Sequence, residues 1–128
     1  MLPGQRVPGE PPPLAVTTSR RDDGVIVLTA VGEIDAATIG RFRTELTGAC
    51  GTGKQVILDL SGVGFLSCAG LHALEEANAA APRFSVIVKT ALVSRILDVS
   101  GVGASLDVRR EVEDALGAVS RRVRPRPR

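Results

Sequence analysis

The stretch LDLSGVGFLSCAGLHAL, residues 58–74, decides the fold of this chain. An apolar run that ends at Asp59 predicts a buried strand, and the leucine spacing that begins after Gly70 predicts a helix. The segment between them is rich in glycine and serine, which predicts a loop, and Ser67 is well placed to cap the helix. The stretch therefore predicts a loop at the carboxyl end of a strand, which is where open α/β sheets bind ligands.

Strand and helix patterns alternate on both sides of this stretch. LAVTTSR and VIVLTAVG, within residues 14–32, flank a DDG turn signal and predict a hairpin. The overall order β-β-α-β-α-β-α-β-α predicts an α/β fold with mostly parallel strands. The first predicted helix covers residues 33–51 with Asp35 as cap, and the second runs from the loop to Pro82. The third covers residues 90–101, with Thr90 as cap and Gly101 as stop, and the last covers residues 110–122. The later predicted strands cover residues 54–60, 84–89 and 105–108.

Length and composition predict one globular domain. The chain has 128 residues, of which 44% are hydrophobic. Five prolines in residues 1–13 predict a disordered lead-in, and five arginines in residues 121–128 predict a basic disordered tail, which leaves residues 14–120 as the domain. This domain carries a net charge of −3, which argues against direct nucleic-acid binding. Because no long apolar span or signal segment is present, we expect a cytoplasmic protein without stable membrane insertion.

Three features come close to a catalytic or metal site without predicting one. GACGTGKQ, residues 48–55, fits the start of a phosphate-binding loop, but it ends in Gln where Ser or Thr is needed and lies between a helix and a strand in the wrong order. His72 is a lone histidine without an evident orienting group. Cys50 and Cys68 lack the spacing of a zinc site. We therefore expect a protein that is not an enzyme and that uses no cofactor or metal.

The residues VILDLSGVGFLSCAGLHAL resemble the signature of the STAS domain of bacterial anti-sigma factor antagonists, roughly DLS-x-V-x-F-(M/L)-D-S-S-G-L. VGEIDAATIGRFRTEL, VIVKTALVSRILDVSGV and REVEDALGAV are similar to further segments of that family, so the resemblance covers about residues 14–120. It implies a single STAS-like domain, a mixed sheet of four to five strands with about four helices mainly on one face.

The resemblance also implies a function, which is partner switching in transcription regulation. In this scheme an anti-sigma factor, often a serine kinase with an ATPase fold, holds a sigma factor. The unphosphorylated antagonist binds the anti-sigma factor and releases sigma. Phosphorylation beside the loop abolishes the binding, as expected when about −1.5 to −2 of charge enters a packed interface. The resemblance thus implies an anti-sigma factor as partner, and we expect the chain to be a monomer or a weak dimer.

Eight partner-binding residues follow from the resemblance. The DLS pair, Asp59 and Ser61, is expected to shape the loop, and Gly70 to permit close approach of the partner. Direct contacts are expected from Ser67, Cys68 and Leu71. The full set is Asp35, Asp59, Ser61, Ser67, Cys68, Ala69, Gly70 and Leu71.

The chain departs from the family pattern at the switch itself. Ser67 takes the acidic position, Cys68 the first serine, and Ala69 the usual phosphoacceptor. Three interpretations remain open. Ser67 is a displaced phosphoacceptor, or the protein is a constitutive antagonist controlled by its abundance, or Cys68 is a redox switch, with Cys50 as a potential second thiol. Cys50 falls on the apolar face of its predicted helix, which favours a buried, inert thiol.

Other uses of the same domain are alternatives. One is the small STAS subunit of a lipid-transport ABC system, and the other is a scaffold in a stress-sensing complex. The basic tail favours a membrane-proximal role through attraction to anionic lipid. The DLS and GEID segments favour the sigma-regulating branch. A small nucleotide hydrolase ranks below all of these.

Overall fold

The structure, a computed structural model, describes residues 13–122. Most of the predicted lead-in and tail, residues 1–12 and 123–128, lies outside the described residues. Strands and helices follow the predicted order, with a short 3₁₀ helix added before the last strand. The elements are β1 (Leu14–Arg20), β2 (Ile26–Ile34), α1 (Ile39–Cys50), β3 (Val56–Leu66), α2 (Cys68–Ala80), β4 (Phe84–Ile87), α3 (Ala91–Ser100), the 3₁₀ helix (Val102–Ser105), β5 (Asp107–Arg109) and α4 (Val112–Arg122).

All five strands belong to one sheet, in the order β1-β2-β3-β4-β5. β1 and β2 form the predicted antiparallel hairpin, with Leu14 opposite Gly32 and Arg20 opposite Ile26. The other neighbouring strands are parallel, because each pair is joined by a helix that returns the chain to the end of the sheet where the previous strand began. The predicted α/β fold with a mixed sheet is confirmed.

The helices cover the two faces of the sheet unequally. Phe42 of α1, Leu74 of α2 and Leu97 of α3 pack with Leu58 of β3 in one large core. The next strand residue, Ile57, points to the opposite face, as alternation along a strand requires, and there it packs against α4. Three helices thus lie on one face and α4 lies on the other, in agreement with the expectation of helices mainly on one face.

β3 is longer than predicted and contains two bulges. The sequence predicts a loop after residue 60, but the strand continues to Leu66. Its register with β2 shifts twice, once after Asp59 and once after Val63, and each shift adds one residue to β3 alone. The core-facing residues are therefore spaced by three, as Leu60, Val63 and Leu66, all of which are buried.

Two helix starts also differ from prediction. The helix predicted over residues 33–51 begins at Ile39, because β2 continues through Ile34. Thr90 occupies the predicted cap position of α3 but makes no capping bond. Its hydroxyl donates instead to the carbonyl oxygen of Val63 at 3.1 Å, which ties the start of α3 to the bulged part of β3. The predicted stop at Gly101 is confirmed, since it ends α3 with a left-handed φ of 81°.

Replacing Ala115 by Asp is expected to detach α4 from the sheet. Ala115 is fully buried in an apolar cluster with Ile57 and Ile87, where a carboxylate loses its hydration. We expect the free energy of unfolding, measured in urea, to fall by about 3 kcal/mol. The matched control Ala79→Asp changes an exposed alanine in the last turn of α2 and is expected to cost about 1 kcal/mol, from the low helix propensity of Asp and its charge at the helix C-terminus. Equal losses in the two variants would contradict this packing of α4.

Candidate functional site

Two adjacent parallel strands bring the ends of β2 and β3 together. Ile34 and Leu66, their last residues, are register neighbours. The amide of Ser67 donates to the carbonyl oxygen of Ile34 at 2.9 Å, which extends the pairing one residue beyond β3. Asp35 and Ser67 therefore leave the sheet side by side, at the amino ends of the segments that lead into α1 and α2.

Asp35 organises the turn that precedes α1. Its Oδ1 accepts hydrogen bonds from the amides of Ala37 at 3.0 Å and Thr38 at 3.2 Å. In return, the Asp35 amide donates to Thr38 Oγ1 at 2.9 Å, and that hydroxyl donates to Glu33 O at 2.8 Å. This reciprocal arrangement is that of a capping box. The predicted capping role of Asp35 is thus right in chemistry, although the regular helix begins only at Ile39, and the buried Thr38 was missed by the sequence pattern.

Ser67 caps α2 as predicted. Its Oγ accepts a hydrogen bond from the amide of Gly70 at 3.2 Å, and its backbone is extended, as an N-cap residue requires. The next residue, Cys68, is exposed, Ala69 is half-buried, and His72 one turn further is exposed. The surface that the α2 N-terminus presents is therefore formed mainly by Cys68, with Ser67 and Ala69 on either side.

Gly70 and Leu71 belong to the core beneath this surface. A Cβ on Gly70 would lie 2.6 Å from Leu66 Cδ1 and 2.9 Å from Ile34 Cγ2. We expected this glycine to permit close approach of a partner. What it permits in the structure is the close approach of α2 to the ends of β2 and β3. Leu71 is only 7% exposed and packs in the large core, so it offers a partner almost no surface.

Asp59 and Ser61 lie away from the α2 N-terminus, within β3. Asp59 Oδ1 accepts from the amide of Ser61 at 2.9 Å and from its hydroxyl at 2.6 Å, across the first bulge. The carboxylate thereby satisfies an amide at the place where the ladder with β2 is interrupted. The two residues shape the backbone, as expected, but that backbone is a bulged strand and not a loop. Along this strand, Asp59 lies about 20 Å from Ser67.

Arg43 of α1 fastens the start of α2, which no sequence pattern indicated. Its Nη2 donates to the carbonyl oxygen of Ala69 at 3.3 Å, and its Nη1 forms an ion pair with the Glu76 carboxylate. The two contacts lie two helical turns apart on α2. Arg43 reads in the sequence as one of several charged residues on a solvated helix face, because only the packing of α1 against α2 selects it.

The two cysteines occupy different environments. Cys68 is exposed, whereas Cys50 is buried and its Sγ donates to the carbonyl oxygen of Ala77 at 3.9 Å. Burial raises the pKa of the Cys50 thiol above its ordinary value, which disfavours the reactive thiolate. Ala77 follows Cys68 by nine residues of helix, about 13 Å, and a disulfide needs Cα atoms within about 7 Å. A direct Cys50–Cys68 disulfide therefore does not fit this geometry.

Two further properties concern the described part of the chain. Within residues 13–122, no three His, Cys, Asp or Glu side chains are grouped so that they could hold a metal ion. Among the helices in the same range, none combines the length and the apolar character that a membrane crossing needs.

Comparisons with known proteins agree with this architecture. The family model of the STAS domain matches residues 17–115. An anti-sigma factor antagonist from Mycobacterium paratuberculosis has a TM-score of 0.78 at 24% identity, over 84% of this chain and 94% of its own. SpoIIAA in its unphosphorylated form has a TM-score of 0.65 at 19% identity, over 88% of this chain and 100% of its own. The phosphorylated form of Bacillus SpoIIAA has a TM-score of 0.58 at 20% identity, over 82% and 99%. No curated protein sequence matches the chain significantly.

Alanine substitutions at two helical glycines are expected to have opposite effects. At Gly70, the added Cβ would push against core side chains, and we expect a loss of about 1–3 kcal/mol in the free energy of unfolding. At Gly48 in α1, nothing lies within 4 Å of the added Cβ, and alanine removes the conformational cost of glycine in a helix, a gain of about 0.5–1 kcal/mol. Urea unfolding of both variants measures this, and effects of the same sign would contradict the close packing at Gly70.

Proposed function

Since the chain belongs to the STAS-domain family, we propose that it is an anti-sigma factor antagonist, which binds an anti-sigma factor with an ATPase-type fold and thereby releases a sigma factor. The observation that carries this proposal is the exposed turn at the start of α2, which holds the residues at the positions of the family's switch motif, Ser67, Cys68 and Ala69. Asp35, from the neighbouring strand end, lies beside this turn. The similar fold of two anti-sigma factor antagonists supports the same function. The proposed activity is binding, and no catalytic step is assigned to the chain.

The proposed contact surface divides the expected site residues into two groups. Cys68 is exposed, and it is flanked by the partly exposed Asp35, Ser67 and Ala69, so these four side chains form the surface offered to the partner. The other four hold the backbone that carries them. Gly70 and Leu71 seat α2 on the sheet, and Asp59 and Ser61 fix the bulge in β3.

The switch differs from that of the family because position 69 has no hydroxyl group. The Oγ of Ser67 already accepts the capping bond from the Gly70 amide, which makes it a less available nucleophile for phosphate transfer. We therefore favour a constitutive antagonist, whose effect depends on its abundance. Phosphorylation of Ser67, and oxidation of Cys68 by a small disulfide through thiol–disulfide exchange, which forms a mixed disulfide and releases a thiol, are the two competing modes of control.

Cys68→Arg is expected to weaken partner binding about 100-fold, because a long charged side chain would enter the centre of the proposed interface. The partner is first recovered from a lysate of the source cells with the tagged chain, and the dissociation constant is then measured with the purified proteins. The matched control is Val99→Arg, since Val99 is 78% exposed near the far end of α3. Recovery of transporter subunits in place of an anti-sigma factor, or equal affinity of the two variants, would contradict the proposal.

Ala69→Ser is expected to create a phosphorylation site that the wild-type chain lacks. Each protein is incubated with the purified anti-sigma factor, ATP and Mg²⁺, and its mass is measured. We expect no phosphate on the wild type and one on the variant if the partner is a serine kinase. A phosphate on the wild type that disappears in Ser67→Ala would identify Ser67 as a displaced acceptor. Partner affinity that changes between oxidising and reducing buffer would support control through Cys68.

A further inference from the structure

β1 lies at one edge of the sheet and exposes a regular row of backbone groups. The amide of Glu33 donates to Pro13 O at 3.1 Å. These two residues are the next opposed pair along the ladder after Leu14 and Gly32. In an antiparallel ladder this bond marks Leu14 and Gly32 as a non-hydrogen-bonded pair. The alternate residues therefore direct their N–H and C=O groups away from β2, and at the centre of the strand these are Val16 and Thr18.

Among the described residues, this edge lacks the features that usually prevent pairing with another chain. Natural edge strands are commonly short, charged or covered. β5, at the opposite edge, follows this rule, since it has three residues and carries an ion pair between Asp107 and Arg109. β1 has seven residues, and no charged side chain precedes Arg20 at its end. Within residues 13–122, one side chain is bonded to this edge: Arg41 donates to Leu14 O at 3.5 Å, at the strand's first residue.

We propose that this edge pairs with β1 of a second copy of the chain, antiparallel, to form a symmetric dimer. This proposal is independent of the proposed function. The two-fold axis passes next to Thr17, so that Thr17 faces its own copy, and Val16 of each chain pairs with Thr18 of the other. These outward-directed residues then exchange two N–H···O bonds at each pair. One self-complementary strand completes the interface and removes the open edge from both copies.

The composition of β1 favours an identical partner. Pairing of identical strands places like side chains near each other, so any charge near the axis would repel its own copy. The residues from Leu14 to Ser19 are uncharged, and Thr17 and Thr18 are exposed residues with high strand propensity. The same face of the sheet carries Val31, 52% exposed and opposite Ala15. In the proposed register Ala15 pairs with Ser19 of the other copy, so small uncharged side chains also meet on this face.

Charge reversal at Thr17 tests the proposed dimer without relying on loss of folding. Sedimentation equilibrium of the full chain over a range of concentrations is expected to show a rise from the mass of one chain to that of two. Thr17→Lys and Thr17→Glu each place like charges across the axis, and each is expected to raise the dimer dissociation constant about tenfold. An equal mixture of the two is expected to dimerise at least as well as the wild type, because opposite charges then face each other.

Thr18→Pro provides a second variant with a matched control. The Thr18 amide points outward, so proline removes an intermolecular donor without breaking a bond to β2, and Thr18→Val keeps that donor. We expect weaker dimerisation for the proline variant only. The proposal is overturned if the wild type keeps the mass of one chain throughout, or if the Thr17 variants dimerise as the wild type does. It is also overturned if the Val16 and Thr18 amides resist hydrogen exchange as strongly in dilute, monomeric protein as in concentrated, dimeric protein. A segment of the same chain would then cover the edge.

Discussion

The two bulges in β3 are the constraint on which the position of the whole site depends. With strict alternation after Leu60, the core-facing positions would be Gly62 and Gly64, and the space beneath α1, α2 and α3 would lack side chains. The extra residue at the first bulge turns Val63 inward instead, and with the second bulge added the inward-facing Leu66, rather than Gly64, lies opposite Ile34. Because Leu66 then faces the core beside Ile34, the chain leaves the sheet at Ser67 and α2 begins there.

The start of α2 is held from below and from the side. From below, the missing side chain of Gly70 allows the helix to rest on Ile34 and Leu66 at a distance that any larger residue would prevent. From the side, Arg43 binds the Ala69 carbonyl, and its ion pair with Glu76 keeps the guanidinium in place. A surface that is fixed in this way loses little conformational freedom when a partner binds, so more of the contact energy remains available for affinity.

The sequence predicted the features that depend on neighbouring residues and missed those that depend on distant ones. The hairpin, the Ser67 cap and the Gly101 stop are local, and the structure confirms them. The extension of β3 was missed because glycine and serine are loop signals locally, while their pairing with β2 is set by contacts far along the chain. The position of Arg43 against α2 was missed for the same reason, since it joins residues 26 apart in the sequence.

The replacement at position 69 bears on control and leaves the shape of the surface intact. Ala69 is half-buried in the first turn of α2, where its side chain supports no hydrogen bond that a serine would be needed to complete. Ser67 caps this turn, Gly70 permits its close packing on the sheet, and Arg43 fixes its orientation. None of these contacts uses the side chain at position 69. The absence of a hydroxyl group there therefore leaves intact the backbone that presents Cys68. In the proposed antagonist, recognition and switching are therefore separable properties, and a chain that lacks the switch can still present the recognition surface.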